Sequence, residues 1–91
     1  MRGWVYIFTN RMSKDLVKIG STDRDPKIRV AEQHSGMPYP NELEYEIFVE
    51  NAYQLEKIIH RKLKQYHASK EWFKISVEEA VSRIKEIAGE K

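Results

Sequence analysis

Apolar and polar positions alternate with a period of two in the first third of this 91-residue chain. In GWVYIFT, residues 3–9, Trp4, Tyr6 and Phe8 fall on one face and Val5 and Ile7 on the other. In LVKIG, residues 16–20, Leu16, Lys18 and Gly20 alternate with Val17 and Ile19. Such a period predicts two strands, and the polar stretch between them predicts an antiparallel hairpin. Residues opposed across an antiparallel pair share a face. Setting Val5 and Ile7 against Val17 and Ile19 therefore predicts a register in which Tyr6 faces Lys18 and residues 10–14 form the loop. One face is then aliphatic, while the other carries aromatics, an ammonium and a glycine.

The pattern changes period further along. Asp25 can cap and Pro26 can open a short helix reaching about His34. Residues 35–41, SGMPYPN, read as a loop, and LEYEIFV, residues 43–49, alternates again as a third strand. After Asn51, a capping residue type, Leu55, Ile58, Ile59, Leu63 and Tyr66 form an apolar stripe at helical spacing, which predicts a helix over 52–67. At 100° per residue Glu56 lies at the stripe's margin, whereas Lys57, Arg61 and Lys64 lie opposite it. Residues 71–75, EWFKI, suggest a short extended piece. Ser76 and Glu79 form a capping box for a last helix with Val77, Ala80, Val81, Ile84, Ile87 and Ala88 inward and Gly89 near its end. The expected fold is α+β: a three-stranded antiparallel sheet with three main helices packed on it, in the order β-β-α-β-α-(short extended)-α, as a single domain over residues 1–91.

Composition narrows the classes of function. The chain has no cysteine, which excludes disulfides and thiolate metal sites and fits a reducing cytoplasm. No apolar run is long enough for a membrane span or a signal peptide, so a soluble cytoplasmic protein without membrane contact is expected. The net charge of +2 says little, but its distribution is uneven. Residues 1–30 carry seven Lys/Arg against three Asp, residues 31–56 carry six Glu and no Lys/Arg, and residues 57–91 carry nine basic against five acidic residues. Segregation of this kind allows a basic surface on which a polyanion would bind.

The fragments VYI (5–7), KIGST (18–22), EKIIH (56–60) and EWF (71–73), with Arg29 in DPKIRV, occur in an order that resembles the GIY-YIG nuclease family, in its phage and bacterial branch. The resemblance spans nearly the whole chain. It implies hydrolysis of DNA phosphodiesters with one Mg²⁺ or Mn²⁺ ion, in a bacterial cytoplasm or, for a phage-encoded protein, that of the host. It assigns Tyr6 to water activation, Arg29 to the scissile phosphate, Glu56 to the metal and Gly20 to the second motif. Three positions depart from the pattern. Lys18 replaces the second-motif tyrosine, Gln33 stands where many members have histidine, with His34 one step off, and Glu71-Trp72-Phe73 occupies the region of a late asparagine.

Elementary chemistry gives these residues work to do. A phenol titrates near ~10, so Tyr6 needs help to act as a base. A cross-strand ammonium about 5 Å away would favour the phenolate by on the order of 3 kcal/mol at an effective dielectric near 20. Lys18 can instead contact phosphate or share in proton transfer. A lone Glu suits Mg²⁺, which keeps several waters, and the planar fork of Arg29 matches a phosphate. Gly20 leaves room for a DNA backbone to approach. His60, one turn after Glu56, is a further candidate for phosphate contact or proton shuttling, and Lys57, Arg61 and Lys64 are candidate DNA contacts.

Each residue also has an ordinary structural reading. Tyr6 can be a core tyrosine, Lys18 a snorkelling edge residue, Arg29 half of a surface ion pair, and the basic positions a solvated helix face. His34 and His67 read as surface histidines, and Trp72 and Phe73 as core anchors. Two alternatives stand beside the nuclease: a nucleic-acid-binding module of the same fold with little catalysis, and a protein-interaction domain. No separate sequence-reading segment is visible, so a second copy or a DNA-targeting partner would have to supply target selection.

Overall fold

The computed structural model describes residues 2–32 and 39–89. Gln33, His34 and most of the 35–41 loop lie outside that range. The elements are β1 (Gly3–Thr9), β2 (Val17–Thr22), α1 (Pro26–Glu32), β3 (Glu42–Val49), α2 (Ala52–Lys62), a 3-10 turn (Lys64–Tyr66), β4 (His67–Ser69), β5 (Trp72–Phe73) and α3 (Val77–Gly89). The class is α+β, but the sheet has five strands, in the order β3-β1-β2-β5-β4, each pair antiparallel. This corrects the expectation of three. The added strands are three and two residues long, too short for a period of two to show against the neighbouring helices.

The predicted helix over 52–67 is shorter for the same reason. It ends at Lys62, and the chain turns through Lys64–Tyr66 into β4. There the backbone finds sheet partners instead of helical ones: the Lys74 N–H donates to the Tyr66 carbonyl at 2.7 Å. At the other end of α2 Asn51 occupies the cap position without a side-chain hydrogen bond. Elsewhere the caps form as expected. Ser76 Oγ accepts the Glu79 N–H at 3.0 Å, and Asp25 Oδ1 accepts the Lys27 N–H at 2.9 Å, with Pro26 buried behind it.

The hairpin keeps its predicted parity with a different register. Tyr6 pairs with Gly20, Phe8 with Lys18 and Trp4 with Thr22, so Lys18 is two pairs removed from Tyr6, on the same face. The shift comes from the loop, which runs to residue 16 and is folded by Asn10. Asn10 Oδ1 accepts the Met12 N–H, and Asn10 Nδ2 donates to the Tyr39 carbonyl and to Asn41 Oδ1. A loop of that length moves the pairing by two residues without exchanging faces.

The aliphatic face is the main core. Val5, Ile7, Val17 and Ile19 pack with Leu55, Ile59 and Leu63 of the α2 segment and with Ala80, Ile84 and Ile87 of α3. Tyr6 and Phe8 are buried on the opposite face, and α1 touches β1 and β3. Helices thus flank both faces, and the aromatic face with α1 is where polar chemistry collects. Ile59 is fully buried, so Ile59→Ala should lower unfolding free energy by about 2–5 kcal/mol in urea titrations. Ser76→Ala, losing one cap, should lower it by only about 0.5–2 kcal/mol.

Candidate functional site

The site begins with a close approach. Tyr6 is 1% exposed, and its ring stacks on Phe8 at 4.1 Å. The ring leans across the hairpin until its hydroxyl lies over Gly20. A Cβ on Gly20 would stand 2.5 Å from Tyr6 Oη and 3.0 Å from Glu71 Oε1. The glycine was expected to admit a DNA backbone; in the structure its bare Cα makes room for a phenol and a carboxylate. Arg29, on α1, lies close enough to the Tyr6 hydroxyl to favour its phenolate, while its Nε is buried without a hydrogen-bond partner among the described residues. Its Nη1 is 3.9 Å from Glu32, whose carboxylate is engaged more closely by both Arg24 terminal nitrogens at 2.7 and 2.8 Å. Arg29 therefore keeps donor capacity on its inward side.

Glu71 was noted in the sequence only as part of EWF, and no role was given to it. The fold brings it to the centre. Its carbonyl accepts the Ile19 N–H at 3.0 Å, which ties the start of β5 to β2. The preceding Lys70 has φ 53°, a left-handed conformation uncommon for a residue with a side chain. His67 Nε2 lies 2.8 Å from the Lys70 carbonyl and donates to it, since a carbonyl can only accept. Lys18, Arg29, Lys70, Glu71 and Trp72 line a cavity of about 240 Å³. Trp72 is a wall of that cavity, while Phe73 is a core residue.

Burial decides the proton affinities here. It raises the Tyr6 pKa, and the nearby Glu71 and Glu56 carboxylates add to that, outweighing the Arg29 guanidinium that acts the other way. It lowers the Lys18 pKa, helped by the Arg29 and Lys70 charges and opposed by Glu71 and Glu56. The expectation of a phenol acidified by a facing ammonium is thus reversed: Tyr6 holds its proton more tightly than a free phenol, and Lys18 releases its proton more readily than a free ammonium.

Glu56 reaches the site from α2, beside the far end of β2. It is 5% exposed. Ser21 Oγ donates to its Oε1 at 2.5 Å, and His60 Nε2 is 3.5 Å from its Oε2. Its charge acts on both Tyr6 and Lys18, although it does not line the cavity. His60 Nε2 donates to the Ile19 carbonyl at 2.8 Å, and the ring packs on Phe73 at 5.0 Å. His60 thereby fastens α2 to β2 next to Gly20. Lys57, Arg61 and Lys64 are exposed on the side of the helical segment turned away from the sheet, and the structure does not bring them to the cavity. Among the described residues no three His, Cys, Asp or Glu side chains gather as a metal cage. The single hard oxygen donor Glu56, with Ser21 beside it, fits only an ion that keeps most of its waters.

The chain belongs to the T5orf172 domain family, whose sequence model matches residues 3–88. Membership associates the chain with nucleic acid. Comparison with curated proteins and with solved structures finds no match. No helix among the described residues is long and apolar enough to cross a membrane.

Two outcomes follow from this geometry. Gly20→Ala forces a methyl against a buried ring and should destabilise the fold by about 1–3 kcal/mol in urea titrations. Because the folded Tyr6 pKa is raised, the folded state holds that proton more tightly than the unfolded chain. The resulting stability is complete below the ordinary phenol value of about 10 and is lost as pH rises through the folded value. Tyr6→Phe should therefore lose stability less steeply than the parent above pH ~10, read from denaturant midpoints across that range.

Proposed function

We propose that this protein is a divalent-metal-dependent endonuclease of the GIY-YIG type that hydrolyses DNA phosphodiester bonds. The observation that supports this reading is that Lys18 and Arg29 line one cavity, with Tyr6 close enough for Arg29 to act on it and the Glu56 carboxylate close enough to act on both Tyr6 and Lys18. These four side chains come from β1, β2, α1 and α2, and nothing about core packing requires a phenol, an ammonium, a guanidinium and a carboxylate to converge.

In this reading Arg29 and Lys18 bind the scissile phosphate, and the partnerless Nε–H of Arg29 is the donor kept for it. Tyr6, held as a phenol, orients the attacking water through its hydroxyl. Lys18 can carry away the water's proton only as the neutral amine, the form that burial favours, and on taking it becomes the ammonium that contacts the phosphate. Glu56 would hold the Mg²⁺ or Mn²⁺ ion, which when bound neutralises phosphate charge and acidifies water. His60 acts through backbone position, keeping β2 and α2 in register.

The test is incubation of the purified protein with double- and single-stranded DNA plus Mg²⁺ or Mn²⁺. The parent should cut. Tyr6→Phe, Arg29→Ala and Glu56→Gln should each lower the cleavage rate by on the order of 10²-fold or more, and Glu56→Gln should keep metal-free DNA binding. Binding without cutting by the parent would instead identify a non-catalytic nucleic-acid module. Cutting that persists in all three variants would remove the assignment.

A further inference from the structure

A cavity meant for phosphate holds a carboxylate of its own. Glu71 carries the same charge as the substrate proposed above, and it sits where Lys18 and Arg29 form the walls. Its placement is not incidental. Lys70 adopts the left-handed conformation, the His67 ring fixes the Lys70 carbonyl, and the Glu71 carbonyl is fixed to the Ile19 N–H. Three local constraints thus aim one side chain at Gly20, where its Oε1 comes within 3.0 Å of the vacant Cβ position, next to the Tyr6 hydroxyl.

The reason is electrostatic. Three cations at the wall of a half-buried cavity, Lys18, Arg29 and Lys70, repel one another, and water there screens them poorly. A resident anion relieves the repulsion while the site is empty, and the Glu71 charge acts on Lys18 in that sense. An entering phosphate meets the same cations with more oxygens and more charge, and it meets the Glu71 carboxylate as a like charge.

We propose that Glu71 is a resident counter-ion: in the free protein its carboxylate stands in for phosphate in the cavity of Lys18 and Arg29, and a phosphate must displace it to bind. The inference rests on the endonuclease reading only for naming a DNA phosphodiester as that phosphate. Glu71 is a positioning residue that keeps the cations in place before substrate arrives and sets a threshold against weak anions.

The probes are inorganic phosphate and a short DNA duplex without divalent metal, titrated into the parent and Glu71→Gln while NMR follows the Arg29 Nε–H. Glu71→Gln should bind inorganic phosphate about fivefold or more tightly, whereas loss of a merely structural residue would weaken binding. In the parent, the Glu71 side-chain carboxyl carbon should shift together with Arg29 Nε as phosphate is added. Equal or weaker phosphate binding by a folded Glu71→Gln overturns the proposal. So does a parent titration that moves Arg29 and leaves the Glu71 carboxyl still, a readout that needs no variant to fold. A parent that never cuts DNA, with the phosphate gain intact, removes the endonuclease reading and leaves the counter-ion role standing.

Discussion

The pairing of Tyr6 with Gly20 is the contact on which the rest of the polar architecture depends. A tyrosine opposite any residue with a Cβ could not lay its ring across the hairpin. With glycine there it can, and the hydroxyl arrives at the junction of β1, β2 and the start of β5. From that point Arg29 can reach it from α1 and Glu71 from the turn before β5. The same pairing sets the faces, because a shift of β2 by one residue against β1 would send Val17 and Ile19 to the side of α1 and part them from Val5 and Ile7. Core and site are therefore two consequences of one register.

Burial is the dominant electrostatic influence on the two groups most relevant to proton transfer. It acts in opposite senses on a phenol and an ammonium, favouring the neutral form of each. The charges around them are mixed and largely offset one another: Arg29 favours the Tyr6 phenolate, while Glu71 and Glu56 oppose it. Glu56 itself is a buried carboxylate, an expensive group to desolvate unless its oxygens are met. Ser21 meets one oxygen, and His60 approaches the other. Holding His60 by the Ile19 carbonyl links that solvation to the strand carrying Lys18 and Gly20.

Much of this was legible before any coordinates. The period of two separated Val5, Ile7, Val17 and Ile19 from Tyr6 and Phe8, and the helical stripe located Leu55, Ile59 and Leu63 together with Ala80, Ile84 and Ile87, although Ile58 of the same stripe is exposed and Glu56 at its margin is buried. Ser76 and Asp25 announced their caps. What alternation cannot supply is absolute register, since any shift by two preserves it; the loop held by Asn10 decides that, through contacts reaching Tyr39 and Asn41. Nor could periodicity reveal β4, or that the extended piece read over 71–75 joins the sheet as β5, which it does because β2 offers an edge to pair with. Glu71 was illegible for the same reason. Its position depends on β5 joining the sheet and on a left-handed Lys70, and in the sequence it is one acidic residue beside two aromatics.

The acidic segment acquires a meaning from the sheet order. β3 is an edge strand whose Glu42, Glu44 and Glu46 are exposed, with Glu46 paired to Tyr6. Charged side chains along an edge discourage pairing with another chain. They also divide the face around Tyr6, with carboxylates on the β3 side and Lys18 and Lys70 on the side of β2 and β5. For a polyanion that division is directional: repulsion on one flank and attraction on the other leave one favourable path past the phenol. Uneven charge along the chain thus becomes uneven charge across the sheet, because β1 lies between the acidic β3 and the side that carries Lys18 of β2 and Lys70 of the turn before β5.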